Sequence, residues 1–157
     1  MKMNHMLALL VLGAPAGAPL LTAVARADDD VEAVSKEKLA QFDKGPASVD
    51  VAAYPAGIQK NYGVFREKCM HCHTLARPIN CEFALPGEWS RYIKRMMHKP
   101  GSMISPGQAK KIYEFLAFDS SVRKKALFDD KLSKASPSDK ADTESRMKEI
   151  IDAYAQK

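Results

Sequence analysis

Two cysteines and a histidine stand close together near the middle of the chain, in the order Cys69-Met70-His71-Cys72-His73. Thiols at this C-x-x-C spacing lie about one helical turn apart, so both sulfurs can reach the two vinyl groups on one edge of a porphyrin. The histidine that follows falls beneath the ring, where its imidazole is a suitable axial ligand to iron. The pattern therefore predicts one covalently attached haem c, held by Cys69 and Cys72, with His73 as a metal ligand.

A C-x-x-C pair also occurs in other roles. These are a disulfide, half of a zinc site, a thioredoxin-like redox motif and a chance pairing of thiols. The histidine after the second cysteine, the lack of a second ligand pair and the lack of a surrounding βαβ pattern all favour haem. Because so large an apolar disc must be buried, we expect the haem to be part of the core.

The N-terminus has the three parts of an export signal. Lys2 provides a positive charge, residues 6–12 form an apolar run, and Ala25-Arg26-Ala27 is an A-x-A cleavage site. Glycines and prolines interrupt the apolar run well before the ~20 residues that a membrane-spanning helix needs. We therefore expect residues 1–27 to be removed after Ala27, leaving a periplasmic protein with no transmembrane segment in the mature chain.

Length and charge limit what the mature chain can be. Removing 27 of the 157 residues leaves 130, which suits a single domain with an ordinary core. The signal has two basic and no acidic residues, so the formal charge falls from +5 to +3. So mild a charge, without a phosphate-binding or base-stacking motif, predicts no nucleic-acid partner. The third cysteine, Cys81, is expected to be a small buried apolar residue, with a free thiol for intermolecular pairing as the alternative.

Apolar spacing predicts a chain of helices. A short, weakly amphipathic helix is expected within residues 28–44, and Gly45-Pro46 ends it. Pro55 begins the next helix, in which an apolar face leads directly into the C-x-x-C-H motif. Residues 74–85 are predicted to form a loop whose carbonyls, near Arg77 and Pro78, are candidates to accept the second ring N–H of His73.

Helix signals continue to the end of the sequence. A third helix is expected from Pro86 to His98, and a fourth after Ser105, with Pro106 at its first position and Gln108 completing a capping box. This fourth helix should pack across the helix that ends at Cys69. Beyond it, Ser120-Ser121 is predicted to cap a further helix. A last amphipathic helix, carrying Met147, Ile150, Ile151 and Tyr154, should pack back on the domain or else contact a partner.

Further residues follow the motif in a recognisable order. Trp89 precedes Arg95-Met96, then Lys99-Pro100-Gly101-Ser102, then the segment 112–116, I-Y-E-F-L. Together with Phe65 before the first cysteine, this order resembles a small bacterial mono-haem class I cytochrome c, especially members whose methionine lies in an R-M-x-x-K-P-G-S segment. The resemblance covers residues 55–120. It implies an all-α fold with its terminal helices crossing, His and Met axial ligands, and single-electron transfer.

The resemblance divides the chain into four parts. These are a signal peptide at residues 1–27, an N-terminal extension at 28–54, a class I cytochrome c domain at 55–120 and a helical C-terminal extension at 121–157. Three kinds of function are open to a chain with one haem motif. An electron carrier, which is not an enzyme, is favoured over a haem enzyme or a gas sensor, because only one haem motif is present and no acid–base set stands out for a distal pocket. Its partners would be redox proteins, and a larger membrane redox complex is left open.

The sixth ligand is expected in the third helix or the loop after it, where Met96, Met97, His98 and Met103 are candidates. With Trp89 at the centre of the apolar face, a wheel of ~100° per residue puts Met96 about 20° away and Met97 about 80° away. Met96 also matches the methionine of the resembling cytochromes and is the predicted metal ligand. Basic residues in this part of the chain are expected to form a rim that attracts an acidic partner: Arg91, Lys94, Arg95, Lys99, Lys110 and Lys111.

Overall fold

The computed structural model describes residues 35–155, which form helices and, within this range, no β-strand. The all-α class expected from the sequence is therefore confirmed for these residues. The predicted signal peptide, residues 1–27, lies outside the described residues. In chain order the seven helices of the described part are α1 (Lys36–Asp43), α2 (Ala56–Cys69), α3 (Ala76–Asn80), α4 (Pro86–Met97), α5 (Pro106–Arg123), α6 (Lys125–Lys134) and α7 (Pro137–Tyr154).

The helix pair α2 and α5 is the centre of the core. Phe65 of α2 and Phe115 of α5 are fully buried, and their ring centroids lie 5.1 Å apart. Tyr62, one turn before Phe65 in α2, also packs on Phe115, with ring centroids 5.0 Å apart. Its hydroxyl also accepts a hydrogen bond from the backbone N–H of Val49 at 3.0 Å. The predicted packing of α5 across α2 is confirmed, and it places the end of α2, and so Cys69, against the core.

Helix α4 packs on α5 through its only tryptophan. Trp89 is fully buried, and its indole N–H donates to the Ser120 hydroxyl of α5 at 3.0 Å. Pro86 occupies the first turn, where its missing N–H costs nothing. The Glu88 carboxylate accepts hydrogen bonds from the backbone N–H groups of Ala84 and Leu85, just before the helix. The helix ends at Met97, one residue before the predicted end.

The predicted loop at residues 74–85 is in part helical. Helix α3 occupies Ala76–Asn80, although Pro78 was expected to prevent a helix there. Pro78 is only the third residue of α3, so the backbone N–H that it lacks would have had no partner within the helix. At the other end, the Asn80 side-chain amide donates to the Ala76 carbonyl at 2.7 Å and supports the single turn.

The predicted helix start at Ser120-Ser121 is wrong. Helix α5 continues through both residues to Arg123, and α6 begins only after Lys124. Ser120 is fully buried and accepts the Trp89 hydrogen bond, while the Ser121 hydroxyl donates to the Phe118 carbonyl of the preceding turn. Both hydroxyls therefore have partners inside the helix, and neither is needed to cap a new one.

Helix α7 packs back on α2, α4 and α5, which was the preferred of the two expectations for it. Met147 and Ile150 are buried in the common core, whereas Ile151 remains 49% exposed. The aromatic ring of Tyr154 lies against Gly57 of α2, at a position where any side chain on residue 57 would collide with it. The last helix is thus joined to the first turn of α2.

Candidate functional site

The C-x-x-C-H motif lies at the point where α2 ends. Cys69 is the last residue of the helix and is half-buried, while Cys72 lies in the following turn and is exposed. The backbone N–H of Met70 still bonds to the Arg66 carbonyl at 3.3 Å, so the chain leaves the helix gradually. His73 follows in a bend and is half-buried. The two thiols are therefore presented from consecutive turns beside the histidine.

Burial of the Cys69 thiol argues against a redox-active role. Burial, and after it the neighbouring Cys72 thiol, raise the pKa of Cys69 to about 12. A redox-active cysteine instead needs a lowered pKa, because the thiolate is the reactive form. Within residues 35–155 no three side chains of His, Cys, Asp or Glu converge as metal ligands, so Cys69, Cys72 and His73 do not form part of a zinc-like cluster.

The imidazole of His73 is held in one tautomer. Its Nδ1 lies 2.8 Å from the backbone carbonyl oxygen of Thr74. A carbonyl oxygen can only accept, so Nδ1 must carry the ring proton in this contact. In the neutral imidazole the other nitrogen, Nε2, is then unprotonated, with its lone pair available to a metal.

The carbonyl that accepts this hydrogen bond differs from the prediction. Arg77 and Pro78 were the expected acceptors, but both carbonyls are used by Cys81. The backbone N–H of Cys81 donates to the Arg77 carbonyl at 3.1 Å, and its thiol donates to the Pro78 carbonyl at 3.3 Å. Cys81 is buried, as the first of its two expected roles requires. The turn of α3 thus occupies the carbonyls that a loop would have left free.

Two charged side chains hold the segment that carries His73. Asp43, the last residue of α1, accepts a hydrogen bond from the Thr74 hydroxyl at 3.1 Å. Its carboxylate is also bound by the Arg77 guanidinium, with Nη2 to Oδ2 at 2.5 Å and Nε to Oδ1 at 3.3 Å. The Arg77 hydrogen bond lowers the pKa of Asp43, so the carboxylate is ionised at neutral pH.

Sequence reasoning missed Asp43 and Thr74, which are 31 residues apart. One local signal was present for Asp43. The carboxylate stands at the C-terminal end of a helix, where the helix dipole disfavours negative charge. An acidic residue in that position suggests a cationic or hydrogen-bonding partner elsewhere in the fold.

An open depression of about 610 Å³ adjoins the motif, and its walls include Cys72 and His73. Helix α4 also approaches the first cysteine, on the side of Tyr92. The pKa of Tyr92 is raised by burial and raised further by the nearby Cys69 and Cys81 thiols. The guanidinium of Arg95 lies over the Tyr92 ring at 5.7 Å. Tyr92 of α4 therefore lies near both Cys69, at the end of α2, and Cys81, which follows α3.

The four sixth-ligand candidates differ in their surroundings. Met96 and Met97 lie in the last turn of α4, and both are half-buried. The helical wheel puts Met96 nearer the centre of the apolar face than Met97, but this difference in angle does not appear as a difference in burial. Met97 packs against the hydrophobic core, whereas Met103 is 66% exposed. His98 is exposed, with its Nδ1 bonded to the Lys94 carbonyl at 2.6 Å. Of the three candidate methionines, Met96 is therefore the one that neither packs against the hydrophobic core nor is mainly exposed to solvent.

The residues present fit a covalently bound haem. The motif offers two thiols on one side of a histidine whose Nε2 is free to ligate. In the segment after α4, Gly101 turns the chain with φ +77°, and the buried Ser102 hydroxyl has no hydrogen-bond partner within the described residues. That segment therefore keeps an unused polar donor for a bound group.

Comparisons with protein-family models, with curated proteins and with solved structures found no match to this chain.

Proposed function

We propose that this chain is an exported electron carrier, a mono-haem c-type cytochrome of class I with His73 and Met96 as axial ligands. The observation that supports it best is the hydrogen bond from His73 Nδ1 to the Thr74 carbonyl, beside two cysteines at haem-attachment spacing. That bond leaves Nε2 as a neutral donor, the form in which histidine binds iron.

When bound, the haem would supply an iron that gains and loses one electron. Cys69 and Cys72 would hold it by thioether bonds, and His73 and Met96 would be its metal ligands. The chain's own part is to keep these groups in place in both oxidation states. The buried α2–α5 helix pair suits this task, because a close-packed core resists displacement of the helix that ends at Cys69.

The two buried acidic groups of α5 take part in contacts within the fold. Glu114 accepts hydrogen bonds from Asn61 and Tyr154, and Asp119 accepts them from Tyr54 and Arg123. We propose a carrier rather than a haem enzyme because the sequence has a single haem motif and no acid–base set that stands out for a distal pocket.

Charge on the α4–α5 segment supports docking to an acidic redox partner. Five basic side chains there are exposed: Arg91, Lys94, Lys99, Lys110 and Lys111. Of these, Lys110 is the only one that forms an ion pair within the described residues, at 3.8 Å from Glu114. Most basic side chains of α6 and α7 are instead paired along their own helix, as in Lys125–Asp129 and Lys148–Asp152. Unpaired cations remain free to steer a partner, whereas paired ones largely cancel.

Location and partners rest on the sequence. The signal-like residues 1–27 support export to the periplasm, where c-type haem would be attached. We propose redox proteins as partners, including a membrane-bound redox complex, and no nucleic acid. None of the described helices combines the length and the apolar character that a membrane-spanning helix requires.

The proposal is tested by the mass of the exported protein after extraction with acidified acetone. Haem bound through thioethers should remain with the chain, and the intact mass should equal that of the polypeptide plus one haem. Haem recovered in the organic phase would contradict the proposal. Carbon monoxide then separates a carrier from an enzyme or sensor, because a ferrous iron with both axial positions taken should bind it slowly, whereas an open position should bind it at once.

A further inference from the structure

One carboxylate connects α1 to the histidine of the motif. Asp43 accepts the hydrogen bond of the Thr74 hydroxyl, and the carbonyl of the same threonine accepts the ring N–H of His73. Thr74 therefore joins Asp43 and His73 through two different groups of one residue. Asp43 lies outside the segment that resembles cytochromes c, so this connection belongs to the N-terminal extension.

The end of α1 that carries Asp43 is itself firmly held. The Asn80 amide of α3 donates to the Phe42 carbonyl at 3.1 Å and to the Pro46 carbonyl at 3.0 Å. Gly45 lies so close to the Asn80 side chain that a Cβ at this position would overlap it. The Arg77 guanidinium binds both carboxylate oxygens of Asp43. The Asp43 side chain is therefore held in place and can restrain Thr74.

We propose that Asp43 is a positioning residue for His73. It holds Thr74 so that the threonine carbonyl faces Nδ1, which keeps the proton on Nδ1 and the lone pair on Nε2. The N-terminal extension thereby sets the orientation and donor strength of the ligand. The group that Nε2 binds is taken from the proposed function, whereas the tautomer is a property of the chain alone.

A purely structural role for these contacts would be the docking of α1 on α3. The chain offers a matched control for that role. Lys38 of α1 binds Glu82, just beyond α3, and so joins the same parts of the chain. Neither of these two residues contacts Thr74 or His73 among the described hydrogen bonds. Loss of the Lys38–Glu82 ion pair should weaken the docking of α1 on α3 without changing the tautomer of His73.

The first experiment uses the full chain produced without haem, with the ring nitrogens of its histidines labelled with ¹⁵N. The His73 signals should show mainly the Nδ1–H tautomer. Thr74→Val, which removes only the hydroxyl, should move them toward the mixture of a free histidine, and Thr74→Ser should restore them. Lys38→Ala should leave them unchanged. Equal tautomer populations in Thr74→Val and the parent chain would overturn the proposal.

The second experiment measures the reduction potential of the haem-loaded protein. A histidine that donates a weaker Nδ1–H hydrogen bond is a weaker ligand to the oxidised iron. Thr74→Val and Asp43→Asn should therefore both raise the potential, and Thr74→Ser and Lys38→Ala should keep it. Thr74→Val is decisive, because Thr74 is exposed and the change leaves the charge unaltered. An unchanged potential in that variant would overturn the proposal.

The two experiments separate this inference from the function on which it rests. A chain that takes up no haem, but whose His73 tautomer responds to Thr74→Val, would support the positioning role of Asp43 and contradict the proposed function. A haem protein in which Thr74→Val changes neither the tautomer of His73 nor the reduction potential would support the proposed function and contradict the positioning role of Asp43.

Discussion

The hydroxyl of Tyr154, at the end of α7, donates a hydrogen bond of 2.5 Å to the carboxylate of Glu114 on α5. Asn61 of α2 completes the group, because its amide donates to both partners, at 2.8 Å to the hydroxyl and 3.2 Å to the carboxylate. Glu114 is only 8% exposed. A polar cluster therefore joins three helices at a place where water has little access, and it fastens the C-terminal extension to the core.

Replacing Tyr154 by Phe should destabilise the fold by about 1–3 kcal/mol, because the buried carboxylate of Glu114 loses its shortest hydrogen bond. Urea unfolding of the two proteins measures the difference. Ile151→Ala, on the exposed side of the same helix, should change the free energy of unfolding by no more than about 0.5 kcal/mol. Equal midpoints for Tyr154→Phe and the parent would show that the cluster contributes nothing.

A second buried contact should make stability depend on alkaline pH. The Tyr54 hydroxyl donates to Asp119 at 3.0 Å, and Asp119 is 1% exposed. Burial and then the Asp119 charge raise the pKa of Tyr54 above its ordinary value. The folded state therefore holds this proton more tightly than the unfolded state, and the stabilisation is complete below pH ~10. It is lost as pH rises toward the folded pKa.

The variant Tyr54→Phe isolates that dependence. Its deficit in unfolding free energy relative to the parent should be constant from pH ~7 to ~9 and should shrink above pH ~10, as the parent tyrosine begins to ionise on unfolding. Denaturant titrations at a series of pH values measure it. A deficit that stays the same at every pH would mean that Tyr54 does not titrate differently in the two states.

Substitution of the motif cysteines should change haem attachment in a defined order. Cys69→Ala and Cys72→Ala should each leave one thioether bond or none, while Cys81→Ala should leave attachment intact, because that thiol bonds to the Pro78 carbonyl within α3. Absorption of the reduced protein in pyridine and alkali counts the thioether bonds. Loss of haem in Cys81→Ala alone, with attachment retained in the other two, would contradict the assignment of Cys69 and Cys72.

The sixth ligand is tested by separate alanine substitutions. Met96→Ala should abolish the weak far-red absorption band of a sulfur-ligated ferric haem and lower the reduction potential, because a soft thioether favours ferrous iron. Met97→Ala should reduce stability, since Met97 packs on the core, but spare the band. Met103→Ala should alter neither. Loss of the band in one of these two variants, and not in Met96→Ala, would reassign the ligand.

Electron transfer with small charged reagents should reveal the unpaired cations. Oxidation by ferricyanide, an anion, should slow as salt rises from ~10 to ~150 mM, because the Debye length falls from ~30 to ~8 Å. The double variant Lys94→Gln with Lys99→Gln should reduce this dependence. Lys134→Gln with Lys148→Gln is the matched control, since both lysines are paired within their own helices. Equal salt profiles for the two variants would reject steering by the α4–α5 segment.

Local signals in the sequence were sufficient to predict many of the helices. The Ser105 cap with Gln108, and the apolar spacing of Ile58, Tyr62 and Phe65, predicted α5 and α2 correctly. Such signals depend on residues within one or two turns, so the chain contains them before it folds. The C-x-x-C-H motif is equally local, and the haem attachment that its spacing indicates stays a prediction.

Tertiary structure decided the partners that lie far apart along the chain. The local sequence indicates a loop at Pro78 and a helix cap at Ser120-Ser121, but both places are helical. The Asn80 amide supports the first helix by its bond to the Ala76 carbonyl, and Ser120 accepts the hydrogen bond of Trp89. The acceptor for His73 is the carbonyl of the adjacent Thr74, whereas Asp43 reaches the same threonine from 31 residues away. No local pattern encodes the contacts of Asp43 and Trp89, because they exist only after α1 has packed on α3 and α4 on α5.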